Sequence, residues 1–214
     1  MKLPRISVLG DTLLTVTLGD GIDERTNAEV VARAKQLEAQ SIIGVSDVVP
    51  SYAALALHFD PQTISGDDLR ERVGELLVRP APQVVESQGL LHRITVRYDG
   101  ADLDEVASRT GLPANDVIEI HSATEYRVFV IGFVPGFAYL GTLDERLSLP
   151  RRDSPRKQVP AGAVAIAERQ TGIYPSRTPG GWHLIGTADV VLFDAGRDRP
   201  ALFSAGDRVK FEPA

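Results

Sequence analysis

The residue types best suited to chemistry in this chain lie between positions 132 and 186. This stretch of 55 residues contains seven Arg or Lys side chains and four Asp or Glu side chains, inside a chain whose net charge is −6. Guanidinium groups bind carboxylates and phosphates through paired hydrogen bonds. The pattern indicates a site for a small anionic ligand, or else a solvated basic loop or a docking face for an acidic partner. Charge alone favours the latter two.

An aromatic and glycine-rich run occupies residues 132–141. It reads GFVPGFAYLG and contains Phe133, Gly136 and Tyr139. Glycine allows a backbone to approach a ligand closely, and aromatic side chains line pockets. The run therefore predicts one wall of a binding pocket. A buried turn whose aromatic side chains belong to the core explains it equally well.

Neutral hydrogen-bonding groups follow in two short segments. Gln170, Thr171 and Tyr174 carry the amide and hydroxyl groups that recognition of an amide requires. Gly180 and Gly181 could present free backbone amides as an oxyanion-type donor pair. Tight hairpin turns account for the same glycines without any ligand.

Two of the four scattered histidines have an interpretable position. His121 ends a short predicted helix, where a proton carrier near neutral pH is one interpretation. His92 alternates in phase with Ile94 and Val96, which predicts that it faces inward. A hydrogen-bonded structural role is the alternative for each histidine. No histidines have metal-ligand spacing and the chain has no cysteine, so no metal site is predicted.

Several common activities lack their sequence motifs. The chain has no GxxxxGKS or GxxxxGKT phosphate loop, no GxGxxG dinucleotide motif and no GxSxG nucleophile elbow. The negative net charge argues against nucleic acid as the main partner. No apolar run reaches about 18 residues and no leader-like segment follows Met1. We therefore expect a cytoplasmic protein that neither spans a membrane nor binds nucleic acid.

Residues 1–82 alternate strand and helix patterns. Alternating apolar residues predict a strand over 12–18. Thr26 and Glu29 have the spacing of a capping box, which places the start of a helix there. Further strands are predicted over 45–49 and 53–59, and a second helix over 65–79. Together these elements form a small α+β domain, which we interpret as a ferredoxin-like sheet with helices on one side.

The segment 79–82 has two prolines in four residues, which is typical of an extended connection. We place the domain boundary there, so that the second domain covers residues 83–214. In this domain we predict strands over 90–98, 126–131, 189–193 and 201–211, and helices beginning at Asp102 and Pro113. The centre of the domain is rich in glycine and proline, which disfavours helices. We therefore expect a mostly β domain, either a barrel or a sandwich.

Taken together, these motifs resemble one family, the KipI / 5-oxoprolinase B-subunit (PxpB) / allophanate hydrolase subunit 1 family. The resemblance is carried by the run over 132–141, LPRR over 149–152 with Pro155-Arg156, VPAG over 159–162, QTGIYP over 170–175 and PGGW over 179–182. Their order and spacing match across about 50 residues, and weaker similarity extends over nearly the whole chain.

The resemblance implies an α+β N-terminal domain followed by a cyclophilin-like β-barrel. It also implies two partner proteins, a KipA / 5-oxoprolinase C-subunit / allophanate hydrolase subunit 2 protein and a LamB/YcsF-type protein as the 5-oxoprolinase A-subunit. Together such proteins hydrolyse a small anionic cyclic amide, 5-oxo-L-proline, to L-glutamate with ATP. The complex would bind the ATP, since this chain has no nucleotide motif. Two alternatives remain: inhibition of a sensor histidine kinase, and a carboxyltransferase-like or allophanate hydrolase role on a urea-type amide.

Residue type and motif position then assign roles within such a complex. The candidate catalytic residues are His121, Gln170 and Thr171. The candidate substrate-binding residues are Phe133, Gly136, Tyr139, Arg152, Arg156, Tyr174, Gly180, Gly181 and Trp182. Arg152 or Arg156 would hold the substrate carboxylate, and Tyr139 and Trp182 would wall the pocket. We expect the chain alone to be inactive, because a partner would supply half of the pocket's polar groups.

Overall fold

Two units divide the chain, Met1–Gln88 and Gly89–Ala214. The structure is a computed structural model that describes residues 4–78 and 89–214. The predicted linker over 79–82, and with it the predicted domain boundary, lies outside the described residues and stays a prediction.

The N-terminal unit is a four-stranded antiparallel sheet with two helices. Its elements are β1 (Arg5–Leu9), β2 (Leu13–Thr17), α1 (Glu24–Glu38), β3 (Val45–Pro50), β4 (Ala54–Phe59) and α2 (Gly66–Val78). The strands lie in the order β1-β2-β4-β3, and every neighbouring pair is antiparallel. Alternate residues of the two central strands, such as Leu14 and Leu57, share one core with Val30 of α1 and Leu69 of α2. Both helices therefore cover the same face of the sheet.

The first helix begins earlier than the capping-box spacing predicts. Asp23 is its N-cap, and the Asp23 carboxylate accepts a hydrogen bond of 2.7 Å from the Thr26 backbone N–H. This bond satisfies an amide of the first helical turn, and it holds the pKa of Asp23 below its usual value. The predicted start at Thr26 is wrong because an aspartate three positions earlier takes that amide.

The predicted ferredoxin-like arrangement is not confirmed. That arrangement runs βαββαβ, whereas the described residues of this unit, 4–78, run ββαββα. One difference is β1, which sequence reasoning did not include and which pairs with β2 as a hairpin. The predicted α+β character and the placement of both helices on one side are as expected.

The C-terminal unit is built on a seven-stranded sheet that nearly closes into a barrel. Its elements are β5 (Leu91–Val96), α3 (Leu103–Thr110), α4 (Ala114–Ala123), β6 (Glu125–Ile131), β7 (Ala138–Gly141), a 3-10 helix (Glu145–Leu147), β8 (Arg156–Val159), β9 (Ala163–Ala167), β10 (Gln170–Ile173), β11 (Thr178–Gly180), β12 (His183–Thr187) and β13 (Arg208–Pro213). The strands of the large sheet lie in the order β12-β9-β10-β7-β6-β13-β5, while β8 and β11 form a separate two-stranded ribbon.

A single bridge joins the two edge strands of this sheet. Arg97, directly after β5, pairs with Thr187 at the end of β12. The two residues exchange backbone hydrogen bonds of 2.9 and 2.7 Å. The bridge brings the edges together, and the predicted C-terminal β-barrel is confirmed.

All seven strands contribute side chains to one apolar interior, which Val106 of α3 and Val117 of α4 also join. The strand residues in this interior are Ile94, Val96, Tyr126, Val128, Ala138, Leu140, Val164, Ile166, Ile173, Ile185, Val209 and Phe211. The two helices thus pack onto the barrel core, as their single apolar stripes require.

The segment between β12 and β13 differs most from prediction. The strand predicted over 189–193 is reduced to one bridge between Phe193 and Ala201. The strand predicted over 201–211 begins only at Arg208, because a turn at Gly206, with φ of 95°, precedes it. No helix within the described residues is long and apolar enough to cross a membrane.

Candidate functional site

The strands of the barrel separate two groups of side chains. Along β9, Val164 and Ile166 point into the barrel interior, whereas Ala163, Ala165 and Ala167 belong to a second cluster on the opposite face. The alternation follows from the two-residue repeat of a strand. Because the outward residues of β9 are all alanine, large aromatic side chains from neighbouring segments can lie close to this face.

Phe137 stands at the centre of that second cluster, which we call the aromatic cluster. Its members are Phe133, Phe137, Tyr139, Tyr174 and Trp182. Measured from the Phe137 ring, centroid distances are 4.9 Å to Tyr139, 5.3 Å to Tyr174, 5.6 Å to Trp182 and 5.6 Å to Phe133. All four pairs are edge-to-face, the geometry that aromatic quadrupoles favour.

The structure therefore brings together four of the predicted substrate-binding residues. Tyr139 and Trp182 also contact each other directly, with ring centroids 5.9 Å apart. Phe137 and Trp182 are buried, Tyr139 is half-buried and Phe133 is 59% exposed. The cluster has a packed base and an exposed rim. Its inner rings are core, as the alternative interpretation has it, and the binding pocket itself stays a prediction.

Two of the predicted glycines permit close packing around this cluster. Gly136 has φ of 83°, and a Cβ there would lie 2.7 Å from the Cβ of Phe193. At Gly180 a Cβ would overlap the Tyr174 hydroxyl. The backbone at both positions approaches a neighbour too closely for any side chain.

Burial raises the pKa of both tyrosine hydroxyls in the cluster. For Tyr174 a hydrogen bond from the backbone N–H of Trp182 opposes this rise, and for Tyr139 the positive charge of Arg151 does so. The Arg151 charge also acts on Tyr174. Both hydroxyls therefore stay protonated at neutral pH and can donate hydrogen bonds.

The predicted carboxylate-binding arginines are engaged with carboxylates of the chain itself. Nη1 of Arg152 donates to Asp102 Oδ1 at 2.9 Å and to Glu105 Oε2 at 2.8 Å, and Nη2 of Arg156 donates to Asp102 Oδ1 at 2.6 Å. Glu105 also accepts from Nη1 of Arg109 at 3.4 Å, so three cations face two anions. That Arg152 or Arg156 holds a substrate carboxylate stays a prediction, and in this structure both guanidinium groups are engaged with acids of the chain.

Asp102 remains charged despite its burial. Loss of solvent raises the pKa of its carboxyl, but hydrogen bonds from Arg156 and from the Leu184 N–H, with the charges of Arg156 and Arg152, lower it further, so the pKa lies below its usual value. The pKa of Glu105 is lowered by its hydrogen bond from Arg152.

His121 and Thr171, two of the predicted catalytic residues, lie together inside the barrel and not in the aromatic cluster. Both are fully buried. His121 stacks on Phe211 with ring centroids 4.7 Å apart and hydrogen-bonds Thr171 and Tyr98. This geometry matches the structural alternative, and a catalytic role for either residue stays a prediction.

The remaining predicted site residues lie in or directly after the strands β10 and β11. Gln170 begins β10 and is 6% exposed. Gly180 ends β11 and pairs with Arg156 of β8, while the Gly181 carbonyl accepts a hydrogen bond from the Arg152 backbone N–H. The oxyanion role predicted for the two glycine amides stays a prediction. His92 faces inward as predicted, against Phe203 and 3.1 Å from Asp207.

Asp102 and Phe137 are the residues that sequence reasoning did not assign to the site. Phe137 lies within the aromatic run over 132–141, so the sequence could have predicted its place in the cluster. Asp102 was predicted only as the start of a helix. Its partners lie 50 and 54 positions away, and nothing in local spacing indicates such a pairing. Among the described residues, no group of three or more His, Asp or Glu side chains could hold a metal ion.

Over residues 4–203 the chain matches the model of a family described as the carboxyltransferase domain, subdomain C and D. The chain belongs to this family. It is 38% identical over 224 residues to the 5-oxoprolinase B-subunit of Bacillus subtilis (strain 168), an alignment that spans 97% of this chain and 91% of the relative. It is 49% identical over 134 residues to the 5-oxoprolinase B-subunit of Escherichia coli O157:H7, spanning 61% of this chain and 62% of the relative. The predicted membership of the KipI / 5-oxoprolinase B-subunit / allophanate hydrolase subunit 1 family is confirmed.

Solved structures show how widely this carboxyltransferase-domain fold occurs. The crystal structure of TTHA0988 is 41% identical, with a TM-score of 0.85, and covers 95% of this family member. This chain spans only 40% of the TTHA0988 chain. The K. lactis urea amidolyase has the same fold at 17% identity, with a TM-score of 0.82, and this chain spans 15% of it.

Proposed function

We propose that this chain is the B-subunit of an ATP-dependent 5-oxoprolinase, and that its aromatic cluster forms one side of the substrate pocket. The observation that carries the proposal is the 38% identity to a 5-oxoprolinase B-subunit over nearly the full length of both chains. The motif residues Phe133, Tyr139, Tyr174 and Trp182, distant in sequence, meet in that one cluster.

The reaction opens the lactam ring of 5-oxo-L-proline. Water adds across the ring amide, so that the C–N bond breaks, the carbonyl carbon gains the hydroxyl of the water and the nitrogen gains its remaining hydrogen. ATP hydrolysis supplies the driving force. The reaction therefore needs a pocket that accepts a flat, small ring, donates to its amide oxygen and balances its carboxylate.

The aromatic cluster offers the first two of these features. Its exposed rim, which includes Phe133 at 59% exposure, offers aromatic surface to a flat substrate. The Tyr139 hydroxyl, protonated at neutral pH because burial raises its pKa, is a donor for the amide oxygen. In this proposal the inner rings exclude water, which strengthens such a hydrogen bond.

In this proposal Arg151 binds the carboxylate of 5-oxo-L-proline. Its side chain is 59% exposed, and its ion pair with Glu168 is long, at 3.9 Å, with both groups in solvent. Such a pair is weak and exchanges readily for a ligand carboxylate. The positive charge of Arg151 opposes the rise in pKa of both Tyr139 and Tyr174, and that of Arg156 opposes the rise for Tyr174. We choose Arg151 because Arg152 and Arg156 already bind acids of the chain.

The other parts of the site would come from partners. ATP would bind to the KipA-type C-subunit or to the LamB/YcsF-type A-subunit, since no phosphate loop occurs in this sequence. The kinase-inhibitor and carboxyltransferase-like alternatives are not favoured by the two relatives above, both of which are named as the B-subunit of 5-oxoprolinase.

The experiment that tests this proposal measures the release of glutamate and ADP from 5-oxo-L-proline and ATP. The chain would be assayed alone, with its KipA-type partner, and with the LamB/YcsF-type protein added. We expect turnover only in the full mixture. Absence of turnover in a mixture whose complex is intact by gel filtration would rule the proposal out.

A further inference from the structure

Asp102 connects the two engaged arginines to the segment that carries Trp182. Its Oδ1 accepts from Arg152 at 2.9 Å and from Arg156 at 2.6 Å, while its Oδ2 accepts from the Leu184 N–H at 2.7 Å. The Asp102 side chain is only 3% exposed. Hydrogen bonds to a carboxylate are strong, and they are strongest where water is excluded.

Backbone hydrogen bonds hold the segment 180–184 on both sides of Trp182. After it, the Asp102 N–H donates to the Leu184 carbonyl at 2.8 Å. Before it, the Arg152 N–H donates to the Gly181 carbonyl at 2.8 Å, and Arg156 pairs with Gly180 between β8 and β11. The side chains that bind Asp102 thus belong to the same residues whose backbones hold Gly180 and Gly181.

We propose that Asp102 is a positioning residue for the site: through Arg152 and Arg156 it holds Trp182 against Phe137 and Tyr139. The two arginines act as struts between Asp102 and the Trp182 segment, and they do not bind the ligand. The contacts agree with this role, since both guanidinium groups donate to Asp102, and Arg152 also donates to Glu105, which Arg109 shares.

The single tryptophan of the chain gives a direct readout. Replacing Asp102 with Asn keeps the shape and removes the charge that the two arginines share. We expect the emission maximum of Trp182 to move to longer wavelength, and its quenching by iodide to rise, because the ring loosens from the cluster. Asp104→Asn, an exposed acid on the same helix, is the matched control and should leave both readouts unchanged.

The kinetic test rests on the proposed function and uses the reconstituted complex. A displaced pocket wall should raise KM for 5-oxo-L-proline by about tenfold, since small misplacements near a substrate cost that much or more. Asp104→Asn should keep the wild-type KM. Arg156→Lys, which keeps the charge but loses the planar fork, should show the same change in fluorescence and KM, and it replaces Asp102→Asn if that variant fails to fold.

Two results would overturn the proposal. Unchanged Trp182 emission and KM in a folded Asp102→Asn variant would show that Asp102 positions nothing. A lower KM in that variant would show that Arg152 and Arg156 bind the ligand once released. If the wild-type complex itself does not turn over 5-oxo-L-proline, the proposed function fails, while the fluorescence comparison still decides the role of Asp102.

Discussion

His121 Nε2 lies 2.9 Å from Thr171 Oγ1 in the interior of the barrel. Thr171 Oγ1 donates its own hydrogen to the Ala165 carbonyl at 3.0 Å, so it accepts from His121. The other ring nitrogen, Nδ1, therefore carries no proton and accepts from the Tyr98 hydroxyl at 2.8 Å. The neighbours of His121 specify a neutral ring and one tautomer.

This arrangement predicts a pH dependence of stability. Burial lowers the pKa of His121 to about 3, from about 6.5 in an unfolded chain. Between these values the unfolded chain binds a proton that the folded chain excludes. Stability should therefore fall as pH falls from 6.5, by up to about 1.4 kcal/mol per pH unit. Urea unfolding at several pH values should show that the free energy of unfolding depends less steeply on pH in His121→Gln than in wild type. His58→Gln, at an exposed position, should have the wild-type dependence. Equal dependence on pH in all three proteins would contradict this account.

Thr171→Val should destabilise the barrel. The substitution keeps the volume but leaves the His121 Nε2–H buried without an acceptor, which costs about 1–3 kcal/mol. Thr171→Ser keeps the hydroxyl and should lose less. Urea unfolding of the two variants separates the hydrogen bond from packing, because only Thr171→Val loses the hydroxyl and only Thr171→Ser loses the methyl group. A loss in Thr171→Ser as large as in Thr171→Val would contradict the greater importance of the hydrogen bond.

Gly180→Ala should disturb the aromatic cluster, because its Cβ would overlap the Tyr174 hydroxyl. Overpacking of this kind costs about 1–3 kcal/mol. Removing the hydroxyl with Tyr174→Phe should recover part of that loss in the double variant. Gly21→Ala is the control, since a Cβ there meets nothing within 4 Å. Thermal unfolding of the four proteins and wild type tests the pair, and strictly additive losses would show that the two residues do not collide.

Arg151→Ala should weaken substrate binding without affecting the fold. A charged hydrogen bond contributes about 1.5–3 kcal/mol, so KM for 5-oxo-L-proline in the complex should rise by about tenfold or more. Arg93→Ala removes a cation of similar exposure, 61%, that is paired with Glu212 on the barrel, and it should leave KM unchanged. A wild-type KM in Arg151→Ala would indicate that a partner protein, and not Arg151, binds the substrate carboxylate.

Most elements of the fold were predictable because their apolar periodicity is local. The helices at Glu24–Glu38 and Gly66–Val78 and the strands from Leu13 to Phe59 lie close to where the sequence placed them. The first strand, Arg5–Leu9, was not predicted: none of its residues is fully buried, so it lacks a sharp alternation. Its pairing with β2 comes from the hairpin and not from its own pattern.

The site was predictable where it depends on residue type and not where it depends on long-range pairing. Aromatic residues near glycines indicated a cluster, and Tyr139, Tyr174 and Trp182 do meet. The surplus of arginines was visible, but which of them are free depends on acids outside the motif. Asp102, at the start of α3, pairs with both Arg152 and Arg156, and only the folded barrel brings those segments together.

The position of β13 between β5 and β6 also determines when the barrel can fold during synthesis of the chain. The strand β5, Leu91–Val96, has β13, Arg208–Pro213, as its parallel neighbour and meets β12 only through the Arg97–Thr187 bridge. A ribosome releases these segments more than a hundred residues apart. The backbone hydrogen-bonding groups of β5 therefore stay unpaired with β13 until translation of this unit is almost finished. Contacts between segments so distant in sequence also form slowly. During synthesis, the first strand of the barrel depends on the last one.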